Sequence, residues 1–304
     1  GIGLRLPLPR LTPKVRELLR LILPAALGAG VVQINLVIDI ILASLLPKGS
    51  VSFLFYADRL NQLPIGVVGV AVGTAILPLL SRLLAQNDQA GAIAALNRAI
   101  ELTLFLALPA MVAFLVIADE LILTLFQRGQ FSPSDSRATA FALTAYTMGL
   151  PAYVLVKVLG PAFFARRDTR TPVMVGIVAV VVNVVLNLIL MQYLLHAGLA
   201  LATAIAAWLN VGLLSWILHR RGNFIADRQL FIRLARFIGA SLLMGLLLWC
   251  SKKWLGALFT AGEANRFFGL LIMVAVGLTS YGLAALLLRA IEWREIKGLL
   301  ARRQ

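Results

Sequence analysis

From Val51 to Leu84 the chain is almost continuously apolar, yet Asp58 and Arg59 lie inside the run. At a rise of about 1.5 Å per residue, a helix of this length exceeds a hydrocarbon layer of about 30 Å. The segment therefore reads as a membrane span with Asp58 and Arg59 embedded in it and Arg82 near its end. Arg59 falls roughly 12 Å below the loop that opens the helix, where an arginine costs about 2.5–3.5 kcal/mol. Residues that costly face a bundle interior or a water-filled cavity, not lipid. Arg59, Gln62, Gly66, Gly69 and Gly73 recur at i, i+3, i+7, i+10 and i+14, one polar-then-small stripe, with Phe53, Leu60, Val67 and Val68 elsewhere on the wheel. Glycines let a second backbone or a ligand approach closely. Pro64 should bend the helix just below the arginine. The pattern is that of a cavity wall.

The remainder has the same character. Of 304 residues 61% are hydrophobic and mean hydropathy is +0.92, which excludes a soluble domain and indicates an all-α, polytopic membrane bundle. A net charge of +15 would suit nucleic acid, but the basic residues occupy loops between apolar runs and aromatic residues do not interleave with them. A nucleic-acid partner is excluded on that ground. The single Cys250 supports neither a disulfide framework nor a metal cluster. The opening GIGLRLPLPRLTPKVREL reads as a linker, so the chain is expected to be the C-terminal part of something longer.

Eight spans are expected, at 18–46, 51–81, 93–118, 136–158, 171–195, 199–218, 231–254 and 267–290. Pro47-Lys48-Gly49-Ser50 turns between the first two. Asp119 to Arg128 is too short to span and is expected at the surface. Ser132-Pro133-Ser134-Asp135 reads as a capping box with proline at the first helical position, and Thr171-Pro172 is expected to open the fifth span the same way. With a cytoplasmic N-terminus, that side carries 20 Lys and Arg residues against 6 on the other, so both termini are expected in the cytoplasm.

Two clusters stand out as candidate sites. Arg59 offers a fork of donors suited to an anionic group, most simply a phosphate, and it does not deprotonate. The competing account is an internal ion pair with Asp58 or Asp39 that only fixes packing. Asp39, Asn183, Asn187 and Thr203 lie near a common depth in the outer half, a donor set suited to a hard cation such as Na⁺. The competing account is interhelical hydrogen-bond glue. Lys157 and Glu101 lie near span ends and read as structural, as do His196 and His219, which lack the spacing of metal ligands. The basic run from Arg220 to Arg236 reads as a plain topology determinant, the competing account being contact with anionic lipid headgroups. There is no nucleophile–base arrangement, P-loop or dinucleotide turn, so nothing argues for an enzyme.

FYADRLNQLPIGVVGVAVGTAILPLLSR, LFQRGQFSPSDS, GLPAYVLVKVLGPAFFARRDTRTP and HAGLALATAI occur in this order. Through them the chain resembles the MurJ (MviN) lipid II flippase family from about Leu18 to Lys297. The resemblance implies one half of a multidrug/oligosaccharidyl-lipid/polysaccharide exporter-type fold. Its parts would be a cytoplasmic linker (1–17), the six-helix second lobe (18–220), and two extra helices with a cytoplasmic tail (221–304), the first lobe being absent. It implies that Arg59 lines a cationic cavity and engages a diphosphate, with Asp58, Gln62, Gly66, Gly69 and Gly73 beside it. Family members often carry an acid where this chain has Gln62, so a carboxylate role there is not transferable. It also implies a sodium site at Asp39, Asn183, Asn187, Leu199 (through its carbonyl) and Thr203. Some members have Asp at the position of Asn187, so the site here would hold one negative charge fewer.

The reading is thus a flippase for the lipid-linked peptidoglycan precursor (lipid II) in the bacterial inner membrane, working by alternating access. An ion gradient or the membrane potential, about 2.3 kcal/mol per charge per 100 mV, would drive it. The glycine stripe would give room for packing changes. Trp249 and Trp254 would anchor a lipid-tail groove in spans seven and eight. The partners implied are lipid II, membrane lipids and the missing lobe. Competing readings are an exporter of another polyprenyl-linked sugar, a drug/cation antiporter, and a non-transporting scaffold of a cell-envelope complex.

Overall fold

The computed structural model describes residues 33–288 together with Arg16 and Gly30. Among them every regular element is helical: α1 (Gln33–Ser44), α2 (Ser50–Pro64), α3 (Val70–Ala85), α4 (Gln89–Phe126), α5 (Pro133–Thr147), α6 (Leu150–Phe164), α7 (Arg170–Leu194), α8 (His196–Arg220), α9 (Arg228–Thr260) and α10 (Glu263–Leu287). Seven stretches of the described residues are long and apolar enough to cross a membrane, α2–α3 and α5–α6 each counting as one. They correspond to the second to eighth expected spans. The first, 18–46, falls largely outside the described residues and is represented by α1.

Proline positions explain much of the local geometry. After Pro64 the helix does not simply bend. It widens into a π turn, Ile65–Gly69, before continuing as α3. A proline removes one donor from the ladder, and a widened turn is one way to absorb the mismatch. In α4, Pro109 cannot donate to the carbonyl of Phe105, and the hydroxyl of Tyr281 on α10 donates to it instead, at 2.6 Å. In α6, Pro161 likewise frees the carbonyl of Lys157. Gly49, which opens α2 at φ 101°, is required twice over, because an added Cβ would also lie 2.6 Å from the Phe53 ring.

Two expectations need correction, and one, the span at 136–158, holds with an internal break. The segment 119–128 is not a surface connection: α4 continues to Phe126 past a non-helical residue at Ile117, burying Leu121 and Ile122. The span at 136–158 is two helices, α5 and α6, meeting at Met148–Gly149, where Cβ on Gly149 would come within 2.8 Å of the Ala204 Cα. The indole of Trp208 donates to the Met148 carbonyl at that break. The other correction is at α7, which begins at Arg170 and is capped by Asp168, accepting from the Thr171 amide at 3.0 Å. The Ser132 capping box, by contrast, is complete: the Asp135 amide donates to Ser132 Oγ and the Ser132 amide to Asp135 Oδ2.

Two apolar cores stack along the bundle. One joins α3, α4, α6 and α8, and the other joins α1, α2, α5, the far end of α4 and the α9–α10 hairpin. The hairpin lies on α4 and is fastened at both ends of it. Glu101, buried, pairs with Arg233 at 2.8 Å and Arg98 at 3.0 Å, while Glu120 pairs with Lys252 at 2.9 Å. Outward surfaces of α7, α9 and α10 expose Val, Leu, Ile, Phe and Trp, as lipid-facing helices do. Trp254 is 89% exposed, and Lys253 Nζ sits 4.0 Å from the Trp249 ring centre.

Candidate functional site

α2 presents Arg59 on an exposed face, with its guanidinium carbon 4.8 Å from the Phe55 ring centre. Neighbouring Asp58 accepts a hydrogen bond from the Gln62 amide, one turn on. Asp39 is occupied elsewhere, so among the described residues Arg59 has no carboxylate within ion-pair distance. An arginine without a partner in a span is costly unless water or a ligand meets it.

The stripe below Arg59 divides in two. Gln62 and Gly66 are exposed, and Cβ on Gly66 would meet nothing within 4 Å. Gly69 and Gly73 are instead covered by α6: an added Cβ would lie 2.5 Å from Lys157 Cδ at the first and 3.2 Å from the Lys157 carbonyl oxygen at the second. The carbonyl facing Gly73 is the one that Pro161 leaves without its helical donor. Gly66 is therefore open, whereas Gly69 and Gly73 pack closely against Lys157 of α6. A cavity of about 400 Å³ adjoins this contact, lined by Gly69, Gly73, Lys157, Pro161 and Asn210 among others. Lys157 belongs to that wall, which its position near a span end did not suggest.

The second cluster comes together as one chain of hydrogen bonds across α1, α7 and α8. Asn187 Nδ2 donates to Asp39 Oδ1 at 2.6 Å and to Asn183 Oδ1 at 3.0 Å. Asn183 Nδ2 donates to Thr203 Oγ1 at 3.2 Å, and Thr203 donates to the Leu199 carbonyl at 3.0 Å. Asn35, not singled out in the sequence, donates to the other Asp39 oxygen at 3.3 Å. Its spacing of four from Asp39 on one helix was the available signal. Asn183 and Asn187 are buried, and Asn187 Oδ1 has no hydrogen-bond partner. A buried acceptor left over beside a carboxylate offers a cation an oxygen that the hydrogen-bond chain does not use. The single carboxylate matches a monovalent charge. The described residues contain no cluster of three or more His, Cys, Asp or Glu side chains.

A further feature lies at the end of the bundle where the α1–α2 turn meets the α4–α5 loop. A cavity of about 490 Å³ opens there, lined by Ser52, Tyr56, Phe126, Arg128, Gln130 and Phe131, with Gly49, Phe53 and Asp135 completing it. Tyr56 lies 4.8 Å from Phe126 and 5.6 Å from Phe131, ring centre to ring centre. His196 backs the cavity, edge-on to Phe53 at 5.4 Å, with Nε2 2.9 Å from the Ala138 carbonyl. Aromatic residues bracketing Arg128 were visible in the sequence, but their convergence with α2 was not.

A family model described as "Lipid II flippase MurJ" matches residues 1–263. A probable lipid II flippase MurJ of Rhizobium tropici is 40% identical over 308 residues, covering 100% of this chain and 57% of its own length. A namesake from Rhizobium meliloti (strain 1021) is 45% identical, covering 84% of this chain and 48% of itself. A solved lipid II flippase MurJ in an inward closed conformation superposes with a TM-score of 0.73 at 29% identity, over 92% of this chain and 56% of that one. An outward-facing multidrug resistance MATE family transporter shares the fold alone, at TM-score 0.60 and 19% identity over 88% of this chain. The chain spans about half the length of the relatives it matches.

Proposed function

Since the chain belongs to the lipid II flippase MurJ family, we propose that it supplies the second lobe and the two additional helices of a transporter, not an enzyme. That transporter moves a lipid-linked peptidoglycan precursor across the bacterial inner membrane by alternating access. In this reading residues 18–220 are the lobe, residues 221–304 the extra pair and tail, and both ends of the segment are cytoplasmic. A first lobe faces the exposed side of α2.

The observation that carries the proposal is Arg59: a guanidinium inside a span, on an exposed face of α2, with no carboxylate within ion-pair distance among the described residues. It meets the diphosphate bidentately, while the Asp58–Gln62 bond holds the neighbouring carboxylate away from the anion. A charge-assisted bond of this kind contributes about 1.5–3 kcal/mol. Arg59→Ala in the intact protein should therefore reduce precursor transport by about ten- to a hundredfold, and Arg59→Lys, which keeps charge but loses the fork, by less. Transport measured in cells depleted of the native protein decides this. Normal transport by correctly folded Arg59→Ala ends the phosphate-binding account. Depletion alone should cause lysis with precursor on the cytoplasmic side, which separates this reading from an exporter of a different lipid-linked sugar.

Asp39, Asn183, Asn187, Thr203 and the Leu199 carbonyl would hold a sodium ion, supported by the orphaned Asn187 oxygen and the single balancing carboxylate. A bound cation would supply positive charge between α1, α7 and α8. These residues orient one another by hydrogen bonds and exclude water by burial, so the relative placement of α1 and the α7–α8 pair depends on how the network is satisfied.

A further inference from the structure

We propose that the cavity between the α1–α2 turn and the α4–α5 loop is a subsite for the sugar attached to the diphosphate of the substrate. This rests on the reading of Arg59 given above and extends it along the same helix. Ser52, Tyr56 and Arg59 stand at i, i+4 and i+7 of α2, on one face. Tyr56 and Arg59 are therefore about 4.5 Å apart along the axis, and Ser52 about 10.5 Å from Arg59. An anion held by Arg59 thus has its next substituent at the mouth of this cavity.

The lining has the two-sided chemistry a sugar ring requires. Tyr56, Phe126 and Phe131 offer apolar faces to its C–H surface, whereas Arg128, Gln130 and Ser52 offer donors and acceptors to its hydroxyls. Those polar groups are uncommitted. Arg128 donates to the Leu125 carbonyl through Nη2 only, and Gln130 and Ser52 have no side-chain partner among the described residues. Asp135 uses Oδ2 for the helix cap, and Oδ1 has no hydrogen bond among the described residues. A volume of about 490 Å³ is in the range of small-molecule clefts. The LFQRGQFSPSDS segment, which the Arg59 and cation sites leave without a role, is the stretch that builds most of this wall.

Two water-soluble probes test the subsite on the intact protein in detergent: a short-chain prenyl diphosphate, and the same diphosphate carrying one N-acetylated amino sugar. The wild type should bind the sugar-bearing probe about tenfold more tightly. Gln130→Ala and Arg128→Gln, both at exposed positions, should erase that advantage, leave the sugar-free probe unaffected and leave the melting temperature unchanged. Arg59→Ala should weaken both probes. Equal binding of the two probes by the wild type overturns the subsite. So does a sugar advantage that survives in both loop variants, or equal weakening of both probes by those variants. If the wild type binds neither probe, or if Arg59→Ala alters neither affinity, the phosphate reading itself fails and the subsite falls with it.

Discussion

Asp168 sits outside the spans and does three jobs with one carboxylate. It caps α7 through the Thr171 amide, accepts from the Thr171 hydroxyl at 2.6 Å, and pairs with Arg221, just past the end of α8, at 2.6 Å. Partial burial opposes its ionisation, but the bonds from Thr171 and Arg221 outweigh that and hold it below the ordinary carboxylate range. A depressed folded value means stability that is present above the unfolded value of about 3.9 and lost as pH falls through the folded one. Asp168→Asn should therefore flatten the acid limb of a stability–pH profile while costing at most about 1 kcal/mol at neutral pH, since Arg221 is largely exposed. An unchanged acid limb in the variant would remove Asp168 as its source. The glycines on α2–α3 give a second comparison at this scale. Gly73→Ala, whose Cβ meets the Lys157 backbone carbonyl, should lower the melting temperature, whereas Gly66→Ala, with open space around it, should not. The same ranking read in transport would show whether the α3–α6 contact moves.

At the scale of elements, α4 is held by groups that its own sequence sets free. Pro109 orphans the Phe105 carbonyl, and the nearly buried Tyr281 brings a hydroxyl to it from α10. Leaving a buried carbonyl unsatisfied costs about 1–3 kcal/mol. Tyr281→Phe should lose that amount in an unfolding titration, and Pro109→Ala should restore most of it, because an alanine amide can satisfy the same carbonyl. If the two changes are simply additive, the tyrosine is not a surrogate donor. Prolines were legible in the sequence, and so were the breaks they cause, but the hydroxyl that answers the Phe105 carbonyl lies 176 positions away. For the same reason the spans and the Ser132 cap could be read locally. The α5–α6 junction could not, because it depends on Ala204 and Trp208 of α8 meeting Gly149 and Met148. Asp119 to Arg128 was misread as surface because charges at 119 and 120 interrupt an apolar run. Glu120 is in fact paired with Lys252 of α9.

Across the whole molecule, polar groups stitch together parts far apart in sequence. Glu101–Arg233 and Glu120–Lys252 fasten the α9–α10 hairpin, while Asp39 and Asn187 tie α1 to α7 across 148 positions. Polar residues at matched depths in different spans were what the sequence could show of the second cluster. Which oxygen remains unsatisfied required the packing. That orphan, Asn187 Oδ1, is what the proposed cation site would satisfy, and ion binding there is measurable. A ligand that binds only the folded protein stabilises it by RT ln(1 + [L]/Kd), about 1.4 kcal/mol at ten times Kd. Sodium chloride should therefore raise the melting temperature of the intact protein relative to choline chloride at equal ionic strength, and the rise should saturate. Asp39→Asn should abolish the sodium dependence. Asn187→Asp adds a second carboxylate to the same oxygens, so it should shift saturation to lower concentration and admit a divalent cation. Identical melting curves in the two salts would reduce the cluster to hydrogen-bond packing between α1, α7 and α8. The proposed sodium site would then have no support.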